Sequence, residues 1–325
     1  MHHIAAPFLF LATGAIVLAL HLSAQYGHVN GDIDAMTDMC LQRMHPWLAP
    51  NFSCAVIKYN CYRERVISPD PGVLDPLERE AVRSILFLHC SALVMPPVIR
   101  EFPLLMGMEL WNSTLVSWGQ EAALSAKLHP VMLYMIFSFV NMTAVPAGIL
   151  QPPLPEQLTD LEFIHTNLTT VPEEITESWS NVQLIYIEHS QLNPFPTAIM
   201  QLPFLSELSL IDSKFETIPD DALLTAASTH FYDLALSRNA IRELPKARAE
   251  DFDVSYLALE FTQLTELPVW VNSQVWDSVS LGGSPICDSD NVELPGVAVC
   301  GEDDDPLGEE RYPTQLIAKS RSLDA

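Results

Sequence analysis

The feature that most constrains this chain is a pattern of apolar residues that recurs along its middle. The stretch LSELSLIDSKFETIP, Leu205–Pro219, has apolar residues at places 1, 4, 6, 11 and 14 and a proline at place 15. This spacing follows neither the 3.6-residue period of a helix nor the two-residue period of a strand. Eight other segments have the same spacing, so it describes one repeated unit. The nine units begin at Val82, Leu105, Met132, Leu158, Val182, Leu205, Phe231, Val254 and Trp276.

The units follow one another at intervals of 22 to 27 residues, which is the period of leucine-rich repeats. In that template places 4 to 6 form a short parallel strand, and places 1, 4 and 6 point into the core. Places 11, 14 and 18 fill the core from the returning arm. One unit cannot bury its own apolar edge, so units stack and the end units need caps. The sequence therefore predicts an α/β leucine-rich-repeat solenoid, a right-handed horseshoe with a parallel β-sheet on its concave face and cysteine-stapled caps.

The composition divides the chain into five predicted segments. They are a signal peptide or transmembrane signal anchor (1–24), a cysteine-rich N-terminal cap (25–81), nine repeats (82–286), a C-terminal disulfide cap (287–300) and an acidic tail (301–325). The tail is charged, contains proline and has little apolar content, so it is predicted to be disordered.

The N-terminal segment is apolar and has two interpretations. Residues Ile4–Ala24 would form a helix about 31 Å long at about 1.5 Å per residue, just enough to cross a membrane. A cleaved signal peptide is supported by the small residues Ser23 and Ala24, but the segment has no Lys or Arg at its start. Both interpretations predict an exported chain, either membrane-anchored with an extracellular or luminal repeat domain or secreted. Membrane contact is expected through this helix only.

Six cysteines lie at the two ends of the chain, which in an exported protein predicts disulfides. They are Cys40, Cys54, Cys61, Cys90, Cys287 and Cys300. The four N-terminal cysteines allow three pairings, and the C-terminal pair would close a loop of about 14 residues, contributing about 3 kcal/mol. Four sequons predict glycosylation at Asn51, Asn112, Asn141 and Asn167.

The stretch CLQRMHPWLAPNFSCAVIKYNC, which begins at Cys40, resembles the N-terminal cap of extracellular leucine-rich-repeat proteins. That resemblance covers about residues 40–300. The apolar helix, then HLSA, then C…PW…C…NC, is similar to the juxtamembrane caps of membrane-tethered repeat proteins of eukaryotic microbes. The resemblance implies a receptor-like ectodomain.

Charge and motifs exclude several classes of function. The chain has 16 basic and 41 acidic residues, for a net charge of −25. Binding to a phosphate backbone needs clustered cations, so nucleic acid is not an expected partner. The sequence has no G-x-S-x-G, H-E-x-x-H, P-loop or G-x-G-x-x-G motif. We therefore expect no catalytic residues, no cofactor and no metal site.

The concave face, formed by places 3, 5, 7 and 8 of the units, is the predicted ligand-binding surface. It interleaves carboxylates with aromatic side chains, which favours a basic protein or peptide. The predicted contact residues are Asp160, Glu162, His165, Tyr186, Glu188, His189, Glu207, Asp212, Asp233, Arg238, Tyr256, Glu260 and Phe261. His165 and His189 share place 8 of adjacent units and are expected about 5 Å apart, either as a pH-sensitive contact or as solvated surface groups. A glycan on Asn112 would crowd Trp111, which places binding in units 4 to 8.

The sequence thus predicts a non-catalytic, protein- or peptide-binding ectodomain that is receptor-like or membrane-tethered. Two alternatives use the same repeat. One is a secreted inhibitor of a foreign enzyme, and the other is an intracellular scaffold of the Ras-type repeat class.

Overall fold

A computed structural model describes residues 2–26, 33–49, 51–289, 293–301 and 310–320 of the chain. These residues form six α-helices, thirteen strands and five short 3-10 helices, which are Pro97–Glu101, Gln120–Ala122, Ala147–Ile149, Thr197–Gln201 and Pro285–Asp288. The helices are α1 His2–Tyr26, α2 Ile33–Met39, α3 Cys61–Glu64, α4 Ile175–Ser178, α5 Val271–Gln274 and α6 Thr314–Ser320. The strands are β1 Cys40–Arg43, β2 Cys54–Asn60, β3 Ser84–Leu88, β4 Leu93–Val94, β5 Gly107–Ser117, β6 Tyr134–Asn141, β7 Asp160–Ile164, β8 Leu184–Glu188, β9 Glu207–Ser209, β10 His230–Ala235, β11 Asp253–Ala258, β12 Val275–Ser280 and β13 Ala298–Val299.

The strands make one long sheet in which neighbours along the chain are neighbours in space. Its order is β1-β2-β3-β5-β6-β7-β8-β9-β10-β11-β12-β13, and β4 pairs with β5 beside this path. Strand β1 is antiparallel to β2, and the remaining described pairs are parallel. This is the predicted leucine-rich-repeat solenoid with a parallel sheet.

The place-4 residues of all nine units form one continuous row across the sheet. The row runs through Ile85, Met108, Met135, Leu161, Ile185, Leu208, Leu234, Leu257 and Val279. Each of these side chains is buried, as expected for a position that points into the core. The returning arms carry short helices whose place-18 residues are also buried. These are Ile99, Ile149, Ile175, Ile199 and Val271.

The last unit departs from the predicted register by one residue. Trp276, predicted at the buried place 1, is 61% exposed. The neighbouring Val275 is buried instead and pairs with Val254, the place-1 residue of the preceding unit. A register shift between the Val254 and Tyr256 pairs accounts for the difference, because it inserts one extra residue into β12.

Each unit turns out of its strand through a residue in the left-handed region. The place-8 residues have φ between 45° and 71°, and only the last of them is glycine. They are His89, Asn112, Phe139, His165, His189, Asp212, Arg238, Phe261 and Gly283. Hydrogen bonds between place-9 residues of adjacent units support these turns, such as the one that Ser213 N donates to Asn239 Oδ1 (3.0 Å). The repeated turn brings the place-8 side chains of successive units into one row along the edge of the concave face.

Disulfides staple both ends of the solenoid. The N-terminal cap holds Cys40–Cys54 and Cys61–Cys90, so one of the three possible pairings is selected. The second bridge joins the cap to the first repeat, since Cys90 occupies place 9 of that unit and its backbone N–H is bonded to Ser113 Oγ. The predicted C-terminal bridge, Cys287–Cys300, is present.

Helix α1 is apolar and its described side chains are largely exposed. The stretch Pro7–Gln25 is long and apolar enough to cross a membrane, a property that signal sequences share. At its end the helix meets the cap: Ala24 is buried, and its carbonyl oxygen lies 3.2 Å from His45 Nδ1.

The prediction of a disordered tail is wrong over residues 310–320, called the C-terminal segment below. It contains α6, and it lies against the concave face of the repeats. Local composition indicated disorder, but the segment is held by contacts with residues far away in the sequence. Residues 302–309 and 321–325 of the predicted tail lie outside the described part of the chain.

Candidate functional site

The concave face brings the predicted contact residues together on neighbouring strands. The place-3 row runs Asp160, Leu184, Glu207, Asp233 and Tyr256, each paired with the next across the sheet. Glu162 and Tyr186 are paired in the place-5 row, and Glu188 ends β8. Parallel strands lie about 4.8 Å apart, so this face concentrates carboxylates within a small area.

The face has two parts of different chemistry. The apolar part belongs to the first four units and consists of Leu86, Leu88, Trp111, Ile136 and Ile164. The acidic part follows it and consists of Asp160, Glu162, Glu188, Glu207 and Asp233. The aromatic Tyr186 lies at their junction, packed against the apolar part, and its hydroxyl donates to Glu207 Oε2 (3.0 Å).

Arg311 of the C-terminal segment fills the acidic part. Its Nε donates to Asp233 Oδ2 (2.6 Å) and its Nη2 to Asp233 Oδ1 (3.3 Å), which is a two-pronged ion pair. Its backbone N–H lies 2.9 and 3.1 Å from the two carboxylate oxygens of Glu188. The side chains of Arg311 and Asp233 are only 7% and 12% exposed. The contact is therefore a largely desolvated, charge-assisted one.

Tyr312 fills the apolar part. It is 3% exposed, and its ring centroid lies 6.3 Å from that of Trp111. Ile317, from α6, packs against the same cluster. Glu310 supports the turn before α6 by accepting hydrogen bonds from the backbone N–H (3.2 Å) and the hydroxyl (3.0 Å) of Thr314. Arg311 thus occupies the acidic part of the face, and the next residue, Tyr312, occupies the apolar part.

Burial raises the pKa of several carboxyl groups on this face. For Glu162 the main cause is loss of solvent, followed by the charge of Asp160. Loss of solvent is also the main cause for Asp160 and Glu188, although hydrogen bonds from Ser209 and Arg311 oppose the increase at Glu188. Among the described residues, Glu162 Oε2 and Asp160 Oδ1 are buried without a hydrogen-bond partner. Glu162 thus keeps its proton and shares a hydrogen bond with Asp160, and the two remaining oxygens can accept hydrogen bonds from a donor-rich ligand.

The place-8 row is a stack of rings beside the acidic part. The ring of His165 stacks on Phe139 at 4.4 Å and on His189 at 4.3 Å, with the planes within 7° of parallel. His189 Nδ1 lies 2.9 Å from Asp212 Oδ2. The adjacency predicted for the two histidines is confirmed. Farther along, the Arg238 guanidinium lies 4.5 Å from the Phe261 ring centroid.

Three residues, His165, His189 and Glu310, have potential metal-ligand atoms that lie within 4.8 Å of one another. Two imidazoles stacked in parallel direct their nitrogen lone pairs side by side, whereas a tetrahedral metal needs them to converge. His189 Nδ1 is also engaged by Asp212. The arrangement fits a stacked surface ladder better than a metal centre.

The predicted contact residues differ in how accessible they are. Glu162, Glu188, Asp233 and Glu260 are buried, while Tyr256 and Phe261 are each 39% exposed. The other predicted contacts are half-buried.

Of the sequon asparagines, Asn51, Asn112 and Asn141 are exposed and Asn167 is half-buried. Two of them, Asn112 and Asn141, border a cavity of about 650 Å³ beside Phe139.

Sequence reasoning missed Arg311 and Tyr312. A signal was present, since Tyr312 is the sole aromatic residue among residues 301–325 and follows an arginine. The average composition of residues 301–325 predicts disorder and gives no weight to the adjacent Arg311 and Tyr312. Trp111, which the sequence places beside a predicted glycan on Asn112, is 3% exposed and packs beside Tyr312.

Solved structures that resemble this chain include leucine-rich-repeat proteins. Toll of Drosophila, in a complex with Spätzle, has a TM-score of 0.54 at 14% identity and covers 72% of this chain. TLR13 in complex with ssRNA13 has a TM-score of 0.56 at 12% identity and covers 73%. A leucine-rich-repeat protein of Leptospira interrogans is 22% identical over 66% of the chain, with a TM-score of 0.47.

This chain spans only part of those proteins: 30% of the Toll chain, 32% of TLR13 and 56% of the Leptospira protein. No protein-family model and no curated protein matches the sequence. At these identities the likeness is one of fold. The in-register repeat, the parallel sheet and the stapled caps lead to the same conclusion: by its fold, this chain is a leucine-rich-repeat protein.

Proposed function

We propose that this chain is a non-catalytic, exported ectodomain that binds a basic protein or peptide segment on its concave face. The observation that carries the proposal is the burial of Arg311 between Glu188 and Asp233. Asp233 holds the guanidinium in two-pronged fashion, which selects arginine, while Glu188 accepts from the backbone N–H of the same residue and helps to fix its position.

Three further observations support the proposal. The place-3 row supplies Glu207 next to Asp233, and Asp160 two strands beyond Glu207, so a ligand longer than one residue meets more than one carboxylate. The net charge of −25 accelerates the approach of a cationic partner and repels nucleic acid. Toll and TLR13 were solved in complexes, with Spätzle and ssRNA13 respectively, and of these two kinds of partner the acidic face favours the protein.

Export is supported by the three disulfides and by helix α1. Disulfides persist in oxidising compartments, which weighs against the intracellular scaffold alternative. The four sequons, which stay predictions, agree with the same route.

The test is selection of a random peptide library, displayed on phage, against the immobilised full chain carrying Arg311→Ala and Tyr312→Ala, which leaves the carboxylates of the face free for a ligand. Enriched peptides should carry Arg or Lys, and the substitutions Glu207→Gln and Asp233→Asn together should reduce their capture. The matched control is Glu173→Gln with Glu174→Gln, two exposed residues on the outer loop before α4. Equal capture by both double variants would place binding elsewhere, and failure to enrich any basic peptide would contradict the proposal.

A further inference from the structure

The C-terminal segment occupies the surface to which ligand binding is assigned. Arg311 takes the central carboxylates, Asp233 and Glu188, while Tyr312 covers Trp111. An external segment and this one cannot hold the same carboxylates at the same time. Binding of a ligand to the centre of the face therefore requires the C-terminal segment to leave.

The contacts of the segment are those of a short linear ligand rather than of a structural cap. They fall on the face and not on the ends of the solenoid, which the disulfides Cys40–Cys54, Cys61–Cys90 and Cys287–Cys300 already close. Arg311 makes the two-pronged ion pair and Tyr312 the buried aromatic contact, and Glu310 Oε2 adds a longer contact of 3.8 Å with His165 Nε2. Helix α6 adds Ile317 but leaves Leu316 71% exposed.

We propose that the C-terminal segment is a built-in competitor for the concave face, and that the ligand displacing it presents an arginine followed directly by an aromatic residue. This inference rests on the proposed function, because it identifies the ligand class of that same face. The order matters: arginine must reach Asp233 while the next residue reaches the apolar part at Trp111 and Ile164.

The aromatic position favours an apolar ring. Among the described residues, the Tyr312 hydroxyl is buried without a hydrogen-bond partner, and it lies on a face that also holds Glu162. A buried hydroxyl without a partner opposes binding, so its removal is neutral or favourable. A ligand with Arg-Phe should therefore bind at least as tightly as one with Arg-Tyr.

The experiment uses a fluorescein-labelled peptide with the sequence of residues 310–320, ERYPTQLIAKS, titrated by fluorescence anisotropy. The full chain with Arg311→Ala and Tyr312→Ala has lost its competitor and should bind the peptide at least about tenfold more tightly than the unaltered chain, a difference of about 1.4 kcal/mol. The matched control is Leu316→Ala with Lys319→Ala, two exposed residues of α6, which should behave as the unaltered chain. Melting temperature verifies that each variant is folded.

Equal affinity of the unaltered chain and the Arg311→Ala, Tyr312→Ala variant would overturn the proposal, as would the absence of binding by that folded variant. A peptide with alanine at both positions should not bind, and one with phenylalanine for tyrosine should bind at least equally. A doubled mass in solution that falls to one chain in the Arg311→Ala variant would show docking on a second copy and would overturn the built-in arrangement.

The two proposals fail separately. If the library yields no basic peptide while ERYPTQLIAKS still binds the variant more tightly than the unaltered chain, the face holds only the C-terminal segment of its own chain, and the proposed external ligand is wrong. If the library yields basic peptides that bind both proteins equally, the competitor is wrong and the proposed function stands.

Discussion

Arg311 Nε lies 2.6 Å from Asp233 Oδ2, although the two residues are 78 positions apart in the chain. The pair ties the C-terminal segment to strand β10, in the seventh of the nine repeats. The positive charge of Arg311 also offsets part of the negative charge of a face that carries carboxylates from several adjacent strands.

Replacing Asp233 by asparagine should loosen the C-terminal segment without unfolding the solenoid. The change removes the charge that holds the Arg311 guanidinium, and hydrogen bonds to charged groups contribute about 1.5–3 kcal/mol. Hydrogen–deuterium exchange should therefore speed up in residues 310–320 while the place-4 strands stay protected. The control is Asp220→Asn, an exposed residue on a returning arm. Unchanged exchange in the segment would show that Asp233 does not hold it.

Replacing Glu162 by glutamine should stabilise the chain increasingly as pH rises above about 4.5. Burial raises the pKa of Glu162 above its ordinary value of 4.5, so the folded state retains a proton that the unfolded state loses. The contribution of Glu162 to the free energy of unfolding is therefore largest below its unfolded pKa and decreases as pH rises toward its folded pKa. Glutamine does not titrate, so the variant does not lose stability in this way.

Burial lowers the pKa of His165 below its ordinary value of 6.5, so the folded state binds fewer protons there than the unfolded state, and stability falls as pH drops below 6.5. This effect is the same in the unaltered chain and in the Glu162→Gln variant, so it does not change the difference between them. Melting temperatures of the two proteins should diverge between pH 4.5 and pH 8. A constant difference across this range would contradict the assignment, and Glu216→Gln, at an exposed position, serves as the control.

Replacing Leu208 by alanine should destabilise the solenoid by about 2–5 kcal/mol, the usual effect of a core cavity. Leu208 is 1% exposed in the place-4 row, between Ile185 and Leu234. Denaturant unfolding measures the loss, and Leu224→Ala, at a position 51% exposed, should change stability little. A negligible loss at Leu208 would show that the register of the repeat is wrong.

Helix α1 is expected to remain attached as a membrane anchor. Its end packs on the N-terminal cap through Ala24, whose carbonyl oxygen lies 3.2 Å from His45 Nδ1, and cleavage after Ala24 would remove this contact. The expressed chain should stay in the membrane pellet after a carbonate wash. Release of a chain whose N-terminus begins at Gln25 would identify α1 as a cleaved signal peptide.

The repeat could be predicted from sequence because its information is periodic and local. Leu208 and Leu234 occupy equivalent places 26 residues apart, so the strand register follows once the period is recognised. The one-residue offset at Trp276 could not be foreseen, since it depends on an extra residue in β12.

The candidate site was only partly predictable. Glu188 and Asp233 were found by their places in the unit, but their burial beneath Arg311 was not. Average composition describes whether a segment can form a core of its own, and it carries no information on a two-residue contact with a distant surface. The pairing of Cys61 with Cys90 was likewise one of three arrangements that spacing alone permits.

The central claim is that the carboxylates of the concave face hold a basic segment. It is tested most directly by titrating ERYPTQLIAKS into the Arg311→Ala, Tyr312→Ala chain with and without the further changes Glu188→Gln and Asp233→Asn. Loss of both charges should weaken binding by at least about tenfold, because two charge-assisted contacts disappear. The same affinity in both proteins would contradict the account.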